Sequence, residues 1–324
     1  MKFNLLAIVI LIIILLHISD RYEGIQFSAS FMKPFYAKNN ITIDRENQVL
    51  MKNGKQISFK NGLNITGKSN ISKDKHKTKI VLRNNNIPTP IWYYWNTNKS
   101  FNTNIILIKK TLSFPIVIKP NSLEQGTGVH TNVLNIKDAI KVIRKLLLTT
   151  NDLIMENQLQ GDAHRIFIFN DEFIDCYRIH KPSIKGNGHN TVTQLIHKFN
   201  ANAEKKLSNS QIDYNLIKSQ GYHKNSIIPK NKKIIITNLA NGSVGSVPEF
   251  INIKDIHPSN IAMFKRITKL VNLNACGIDY ITHDLSIPHY VYGSVLETNS
   301  QPGIETHAIA NPKSIHKFVN LIRF

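Results

Sequence analysis

The stretch Phe114-Pro115-Ile116-Val117-Ile118-Lys119-Pro120 decides how this sequence is interpreted. Its apolar residues predict a short buried strand, and Lys119 stands at the end of that strand. The loop that follows contains Gly126 and Gly128, and glycines let backbone N–H groups approach phosphate oxygens closely. The stretch therefore indicates a phosphate site, although it has neither the Gly-Lys-Ser/Thr of a P-loop nor the Rossmann glycine spacing.

Two segments near the carboxyl terminus carry oxygen ligands. Glu297 and Asn299 are two residues apart in an expected strand, so their side chains share a face. Asp279 lies in the preceding expected strand, and antiparallel pairing would bring its carboxylate to the same patch. Carboxylate and amide oxygens suit Mg²⁺, which also binds nucleotide phosphates. The alternative is a solvated strand face.

A third segment, Glu156-Asn157-Gln158-Leu159-Gln160-Gly161-Asp162, directly follows the expected strand 153–155. A strand that opens into a polar linker can offer alternating backbone donors and acceptors to a flat base. By itself this pattern is not specific.

The remaining elements follow in mixed order, which favours an α+β fold over a doubly wound sheet. We predict a hairpin at 40–58, helices at about 73–85 and 136–148, and a helix capped by Ser259. We predict further strands at 165–170, 172–178, 233–237, 278–282 and 290–298.

Composition sets broad limits on function. The 324 residues carry a formal net charge of +20, for which an anionic partner and a lysine-rich solvated surface are the two explanations. Cys176 and Cys276 are expected as buried free thiols.

The apolar run from Leu5 to Leu16 predicts a signal peptide or a short signal anchor within residues 1–20. An anchor would hold the domain at the membrane facing the cytosol, and a cleaved signal would direct it to the secretory pathway.

Together these segments resemble the ATP-grasp superfamily, in particular the ATP-grasp domains of cyanophycin synthetase and of bifunctional glutathione-synthesis ligases. The resemblance runs from about Ser72 to the carboxyl terminus. It rests on the three segments above and on Lys185-Gly186-Asn187-Gly188 with Thr191. It implies an ATP-grasp fold of two α+β subdomains that hold the nucleotide between them. The expected boundaries are 21–71 for a lead-in hairpin and linker, 72–324 for the ATP-grasp domain, about 100–160 for the small subdomain and 161–324 for the larger one.

The resemblance also implies roles for single residues. Lys119 and Lys79 would bind phosphates, and Gly126 and Gly128 would close over them. Arg178, with Lys119, would stabilise the transferring phosphoryl group. The adenosine would contact the segment that contains Glu156, Asn157, Leu159 and Asp162, and a further segment with Asn241 and Ser243 would lie near the phosphates. Two Mg²⁺ ions, or Mn²⁺ in their place, would be bound by Asp279, Glu297 and Asn299.

The resemblance implies an ATP-dependent, ADP-forming ligase that joins a carboxylate to an amine through an acyl phosphate. Its substrates would be small molecules or peptides, no specific nucleic acid is expected, and an oligomer stays open. Ala163 stands where the family has an acidic residue for the ribose, which motivates an inactive nucleotide-binding protein as an alternative. The charge of +20 motivates a basic protein that binds a membrane or nucleic acid as another.

Overall fold

The computed structural model describes residues 32–59, 63–64, 71–123, 126–202, 207–208, 211–239 and 246–324. The predicted segment 1–20 and the residues Asn241 and Ser243 lie outside these ranges. The α-helices are α1 Lys33–Lys38, α2 Lys75–Asn84, α3 Phe101–Thr111, α4 Ile136–Leu146, α5 Val192–Asn202, α6 Tyr214–Ser219, α7 Pro258–Leu270, α8 Ile304–Ala310 and α9 Pro312–Asn320. The strands are β1 Thr42–Asp44, β2 Val49–Lys52, β3 Lys55–Ser58, β4 Trp92–Tyr94, β5 Ile116–Pro120, β6 His130–Val133, β7 Leu153–Asn157, β8 Asp162–Phe169, β9 Glu172–His180, β10 Ser183–Lys185, β11 Lys233–Ile235, β12 Val247–Phe250, β13 Ala275–Thr282 and β14 Ser294–Asn299.

The first of two main sheets is four-stranded, in the order β4-β7-β5-β6, with every pair antiparallel. Helices α3 and α4 cover one face of it. Apolar residues of α4 at helical spacing, Ala139, Ile143 and Leu146, are buried there, and Asn135 caps the helix by accepting from the Asp138 N–H. This small sheet therefore presents β5, with Lys119 at its end, on a rigid support.

The second sheet is five-stranded, in the order β12-β9-β8-β13-β14, and is also antiparallel throughout. Helix α7 packs on one face through residues such as Phe264 and Ile267, whereas α8 and α9 pack on the other. Because side chains alternate along each strand, residues directly opposite one another in this register share a face. Strand parity, meaning whether a residue is at an odd or an even position along its strand, therefore decides which side chains can reach the site.

A three-stranded meander, β1-β2-β3, occupies residues 42–58, so the predicted two-stranded hairpin was incomplete. With α1 it packs against α9 in one apolar cluster that includes Phe59, Phe167 and Phe318. The Asn64 side chain donates to the carbonyls of Ala275 and Ser300 at 3.1 and 2.8 Å. The lead-in segment is thus packed against the strands that carry the predicted metal ligands.

Residues 183–239 contain a small module with an apolar core of its own, formed by β10, β11, α5 and α6. Ile184, Val192, Ile217 and Ile234 are buried in it. Val129, which directly follows the glycine loop, packs against this core. The module therefore lies beside the loop that the sequence assigns to phosphate binding.

Most of the predicted elements are confirmed, and the exceptions are local. Helix α7 is capped by His257 rather than Ser259, because the His257 ring accepts from the Ser259 N–H and Pro258 begins the helix. The last strand begins at Ser294 rather than at 290, since residues 290–293 form a turn. Both cysteines are buried free thiols, as expected. None of the helices in the described ranges has the length and hydrophobicity that a membrane span requires.

His164 lies on the α7 face of the large sheet and is 0% exposed, and both of its ring nitrogens lack a hydrogen-bond partner among the described residues. Burial, assisted by the nearby Arg178 charge, lowers the pKa of His164 to about 4. The folded protein therefore keeps this ring neutral at a pH where an unfolded chain would protonate it.

We predict that the free energy of unfolding falls as pH decreases from 6.5 towards 4, and that His164→Gln weakens this dependence. The folded pKa is below the unfolded value, so the unfolded chain binds the extra proton in that window. A shift from 6.5 to about 4 corresponds to about 3 kcal/mol. Urea unfolding of the wild-type protein and the variant at pH 7, 5.5 and 4 measures the free energy of unfolding. Parallel pH profiles for both proteins would contradict the prediction.

Candidate active site

Two lysines share one glutamate at the edge of the small sheet. In the β5–β7 pairing Val117 lies opposite Glu156, so Lys119, two residues on, projects from the same face. Its Nζ is 2.5 Å from one Glu156 oxygen, and the Nζ of Lys79 on α2 is 2.8 Å from the other. All three side chains are buried. Since two positive charges meet one negative charge, the cluster retains a net charge of +1.

Burial and ion pairing shift the pKa values of the three side chains in opposite directions. Burial alone would raise the pKa of Glu156, but the charges of Lys119 and Lys79 outweigh it and lower that pKa to about 2. Burial disfavours charged Lys119, yet Glu156, Glu297 and Asp279 raise its pKa. Lys79 differs, because burial dominates over its attraction to Glu156 and lowers its pKa. Glu156 thus remains ionised between its two lysines.

Three predicted metal ligands meet on adjacent strands of the large sheet. Asp279 pairs with Glu297 across β13 and β14, and Gly277 pairs with Asn299. The Asn299 amide nitrogen is 3.4 Å from Asp279 Oδ2. Burial and the adjacent Glu297 carboxylate raise the pKa of Asp279 to about 8, despite the opposing charge of Arg165. The pKa of Glu297 is lowered, since its hydrogen bond with Asp279 and the charge of Lys119 outweigh burial.

This donor set fits a magnesium ion. It offers two carboxylates and one amide that can turn its oxygen towards a cation, which are hard ligands of the kind Mg²⁺ binds. Asp279 Oδ1 already forms an ion pair with Arg165, and the two carboxylates in contact repel unless a proton or a further cation separates them. Within the described residues no group of three or more His, Cys, Asp or Glu is placed to hold a metal ion, so an ion at this position would need the Asn299 amide or a ligand from outside the chain besides the two carboxylates.

Arg165 lies beside these carboxylates, and no local sequence pattern indicated it. Arg165 is directly opposite Asp279 in the β8–β13 register, and its Nε forms an ion pair with Asp279 Oδ1 at 2.5 Å. Gly277 makes this position accessible, because a Cβ at 277 would lie 3.3 Å from the Arg165 guanidinium and 3.1 Å from Pro302. The strand parity of Arg165 and Asp279 was the signal that could have identified it.

Lys75 was also missed, although it is one helical turn before Lys79 on the same face of α2. Its Nζ donates to the carbonyls of Asn121 and Leu123 at 3.1 and 2.6 Å and lies 3.9 Å from Glu297 Oε2. Lys75 thereby connects the start of the glycine loop to a predicted metal ligand. The lysine cluster and the carboxylate cluster consequently face one another at the junction of the two sheets.

The predicted glycine loop folds back onto β5. Gly126 and Gly128 have φ of +75° and +70°, and a Cβ at 128 would lie 2.9 Å from the Pro120 ring. Both observations explain why glycine is suited to these positions. The loop therefore lies close to the strand end that carries Lys119.

Part of the predicted adenine segment already forms hydrogen bonds and ion pairs within the protein. The N–H groups of Asn157 and Gln158 donate to the carbonyls of Ile91 and Pro115, and Glu156 is directed at the lysines. Leu159 lines a cavity of about 320 Å³ together with Pro88, Ile281 and Tyr292. This cavity is the space beside the segment that a flat base could enter.

Two predicted residues lie away from the others. Arg178 is opposite His164 and Glu249, on the α7 face of the sheet, whereas Asp279 and Glu297 project from the other face. Its Nε is 3.5 Å from Asp162. The Asp162 side chain projects from the same face of the sheet as Arg178, whereas Ala163 lies on the same face as Arg165. Asp162 therefore does not occupy the place of Ala163. The structure does not bring Arg178 and Asp162 together with the predicted metal ligands.

The fold and this site resemble those of ATP-grasp ligases, and comparison with known proteins finds similar chains among ATP-dependent ligases. No family model matches the chain. It is 28% identical over 250 residues to cyanophycin synthetase from Synechocystis sp., covering 72% of this chain and 28% of that protein. The chain thus spans well under half the length of this relative.

Two solved structures have the same fold. One is a bifunctional glutathione synthetase from Pasteurella multocida, with a TM-score of 0.55 and 20% identity over 88% of this chain and 42% of that one. The other is the D-alanine--D-alanine ligase from Bacillus anthracis, with a TM-score of 0.50 and 18% identity over 77% and 66%. Together, the sequence similarity and the shared fold confirm the resemblance to the ATP-grasp superfamily.

We predict that Glu156→Gln destabilises the protein by about 3–5 kcal/mol, because it leaves two buried lysines without a counter-charge. The double variant Lys79→Met/Glu156→Gln should recover part of this loss, since it removes one of the uncompensated charges. Urea unfolding at pH 7 measures both proteins. Glu172→Gln, at an exposed carboxylate paired with Lys265, is the control and should change stability by less than about 1 kcal/mol. Additive losses in the double variant would contradict the coupling.

Proposed function

We propose that the protein is an ATP-dependent, ADP-forming ligase that joins a carboxylate to an amine through an acyl phosphate. One observation carries the proposal: a buried cluster of net charge +1 at Lys79, Glu156 and Lys119 lies opposite the carboxylates of Asp279 and Glu297. A triphosphate between them would meet lysines on one side and metal-binding oxygens on the other. The sequence and fold comparisons support the ligase class.

The proposed reaction has two steps. A carboxylate oxygen of the first substrate attacks the γ-phosphorus of ATP, and ADP leaves. The amine nitrogen of the second substrate then attacks the acyl carbon, the C–N bond forms, and the C–O bond to phosphate breaks. Inorganic phosphate departs with the electron pair, and the amine proton passes to solvent. The phosphate is needed because a free carboxylate is a poor electrophile.

The residues of the chain supply position and charge for these steps. Lys119 and Lys79 would hold phosphate oxygens, and Lys75 would hold the start of the glycine loop over them. Asp279, Glu297 and Asn299 would bind Mg²⁺, which when bound neutralises charge on the phosphate oxygens. The fixed guanidinium of Arg165 would stabilise negative charge that develops on the transferring group. Asn241 and Ser243 keep the role near the phosphates that the resemblance implies.

We predict that Glu297→Gln abolishes Mg²⁺-dependent binding of the ATP analogue AMP-PNP and lowers ADP release at least 100-fold, because a carboxylate ligand is lost. The same result is expected for Lys119→Ala in ADP release. Calorimetric titration with and without Mg²⁺ and a coupled ADP assay with amino acids and dipeptides measure these effects. Glu172→Gln is the matched control. Wild-type activity in both site variants would overturn the proposed function, and binding without ADP release would favour an inactive nucleotide-binding protein.

We predict that Arg165→Met reduces ADP release by 10²–10³-fold, in the range for losing one charge-stabilising donor, whereas Arg178→Met changes it less than about threefold. The reason is strand parity, since only Arg165 shares a face with Asp279. Both variants are first checked for folding by circular dichroism. A larger loss in Arg178→Met than in Arg165→Met would return the catalytic role to Arg178.

A further inference from the structure

A second cavity, of about 200 Å³, lies between the start of β6 and the residues that lead into α6. Val129 and His130 form one side of it, and Asp213, Tyr214 and Thr237 form the other. Val129 directly follows Gly128, which packs on Pro120 next to Lys119. The cavity therefore opens beside the glycine loop, on the side of the 183–239 module.

The chemistry of its walls selects the charge of a ligand. Among the described residues that line the cavity there is one carboxylate, Asp213, and no lysine or arginine. Burial and the charge of Lys145 lower the pKa of His130, which favours the neutral form of its ring. In a chain of net charge +20, a cavity with this lining disfavours phosphate or carboxylate and favours a cation.

The structure around Asp213 fixes the carboxylate at the cavity wall. One oxygen accepts from the Leu216 N–H at 2.9 Å, as the cap of α6, and the other is 3.4 Å from the Asn238 amide. The Asp213 N–H donates to the Ile236 carbonyl at 2.9 Å. The lining of the cavity is mostly polar, and Val129, Ile212 and Leu239 supply its smaller apolar part, against which a methylene chain could lie.

We propose that this cavity binds the basic side chain of the amine substrate, with the Asp213 carboxylate paired to its ammonium or guanidinium group. This rests on the proposed ligase function and names the substrate class: a diamine or a basic amino acid. The reacting amine must be uncharged to attack, so the bound cation is a second group of the same molecule. Pockets for drug-sized ligands measure roughly 300–1,000 Å³, so this smaller cavity suits one side chain.

Calorimetric titration of the full chain with L-lysine amide, L-arginine amide and L-norleucine amide tests the proposal. Norleucine amide has an unbranched side chain like that of lysine but no terminal charge. We expect the two basic amides to bind about tenfold more tightly than norleucine amide, and Asp213→Asn to remove this preference. Asparagine also caps helices, so α6 is retained, and Asp213→Ser, a second uncharged cap, should behave alike.

Asp171→Asn is the control, because Asp171 is an exposed turn residue paired with Lys269 at 3.6 Å, and it should keep the preference. Absence of any preference in the wild-type protein, or a preference that survives in both Asp213 variants, would overturn the proposal. A parallel titration with AMP-PNP and Mg²⁺ reports the nucleotide site separately. If the wild-type protein does not bind AMP-PNP, the proposed ligase function is contradicted. The amide titrations are carried out without nucleotide, so they report on the cavity alone.

Discussion

The central constraint in this structure is the charge balance of a buried cluster in which two lysines share one glutamate. Burying a charge is costly unless it is paired, and the Glu156 carboxylate pairs with both Lys79 and Lys119 at 2.8 and 2.5 Å. One positive charge remains uncompensated within the cluster. The nearest compensation comes from Glu297 and Asp279, which raise the pKa of Lys119 across the junction of the sheets. The two clusters are electrostatically incomplete when considered separately, and an anionic ligand with its cation would complete both.

Strand parity determines which residues take part in this balance. Asp279, Arg165 and Tyr177 project from one face of the large sheet, and Tyr280, His164 and Arg178 project from the other. The two faces differ in the groups they bury beside these positions: Asp279 lies next to the Glu297 carboxylate on one face, whereas on the other burial lowers the pKa of His164. A shift of one residue in the β8–β13 register would exchange them. The core residues that fix this register, such as Phe167 and Ile278, are therefore also determinants of the site.

The sequence predicted those features that depend on short-range rules. The helices predicted at about 73–85 and 136–148 and the adjacent strands predicted at 165–170 and 172–178 follow from local patterns, and the structure has each of them. The face of Arg178 depends on pairing between strands, which no local pattern specifies. Packing of the meander against α9 joins residues more than 200 positions apart, so it also lay beyond local reasoning. Lys75 was accessible to helical periodicity, since it precedes Lys79 by four residues.

A net charge of +20 does not specify the chemistry of a buried site, and the reason is physical. Screening limits surface charges to a range of about 8 Å at physiological ionic strength, whereas buried groups respond to their immediate neighbours. The chain carries +20, yet Asp279 and Glu297 dominate one cluster and Asp213 stands without a basic neighbour in the lining of its cavity. If an ATP-dependent ligase must hold a polyanion and a basic amine at once, it needs regions of opposite sign close together. The two proposed sites would meet this requirement, since Lys119 precedes the β5–β6 loop and Val129, at the end of that loop, lines the Asp213 cavity.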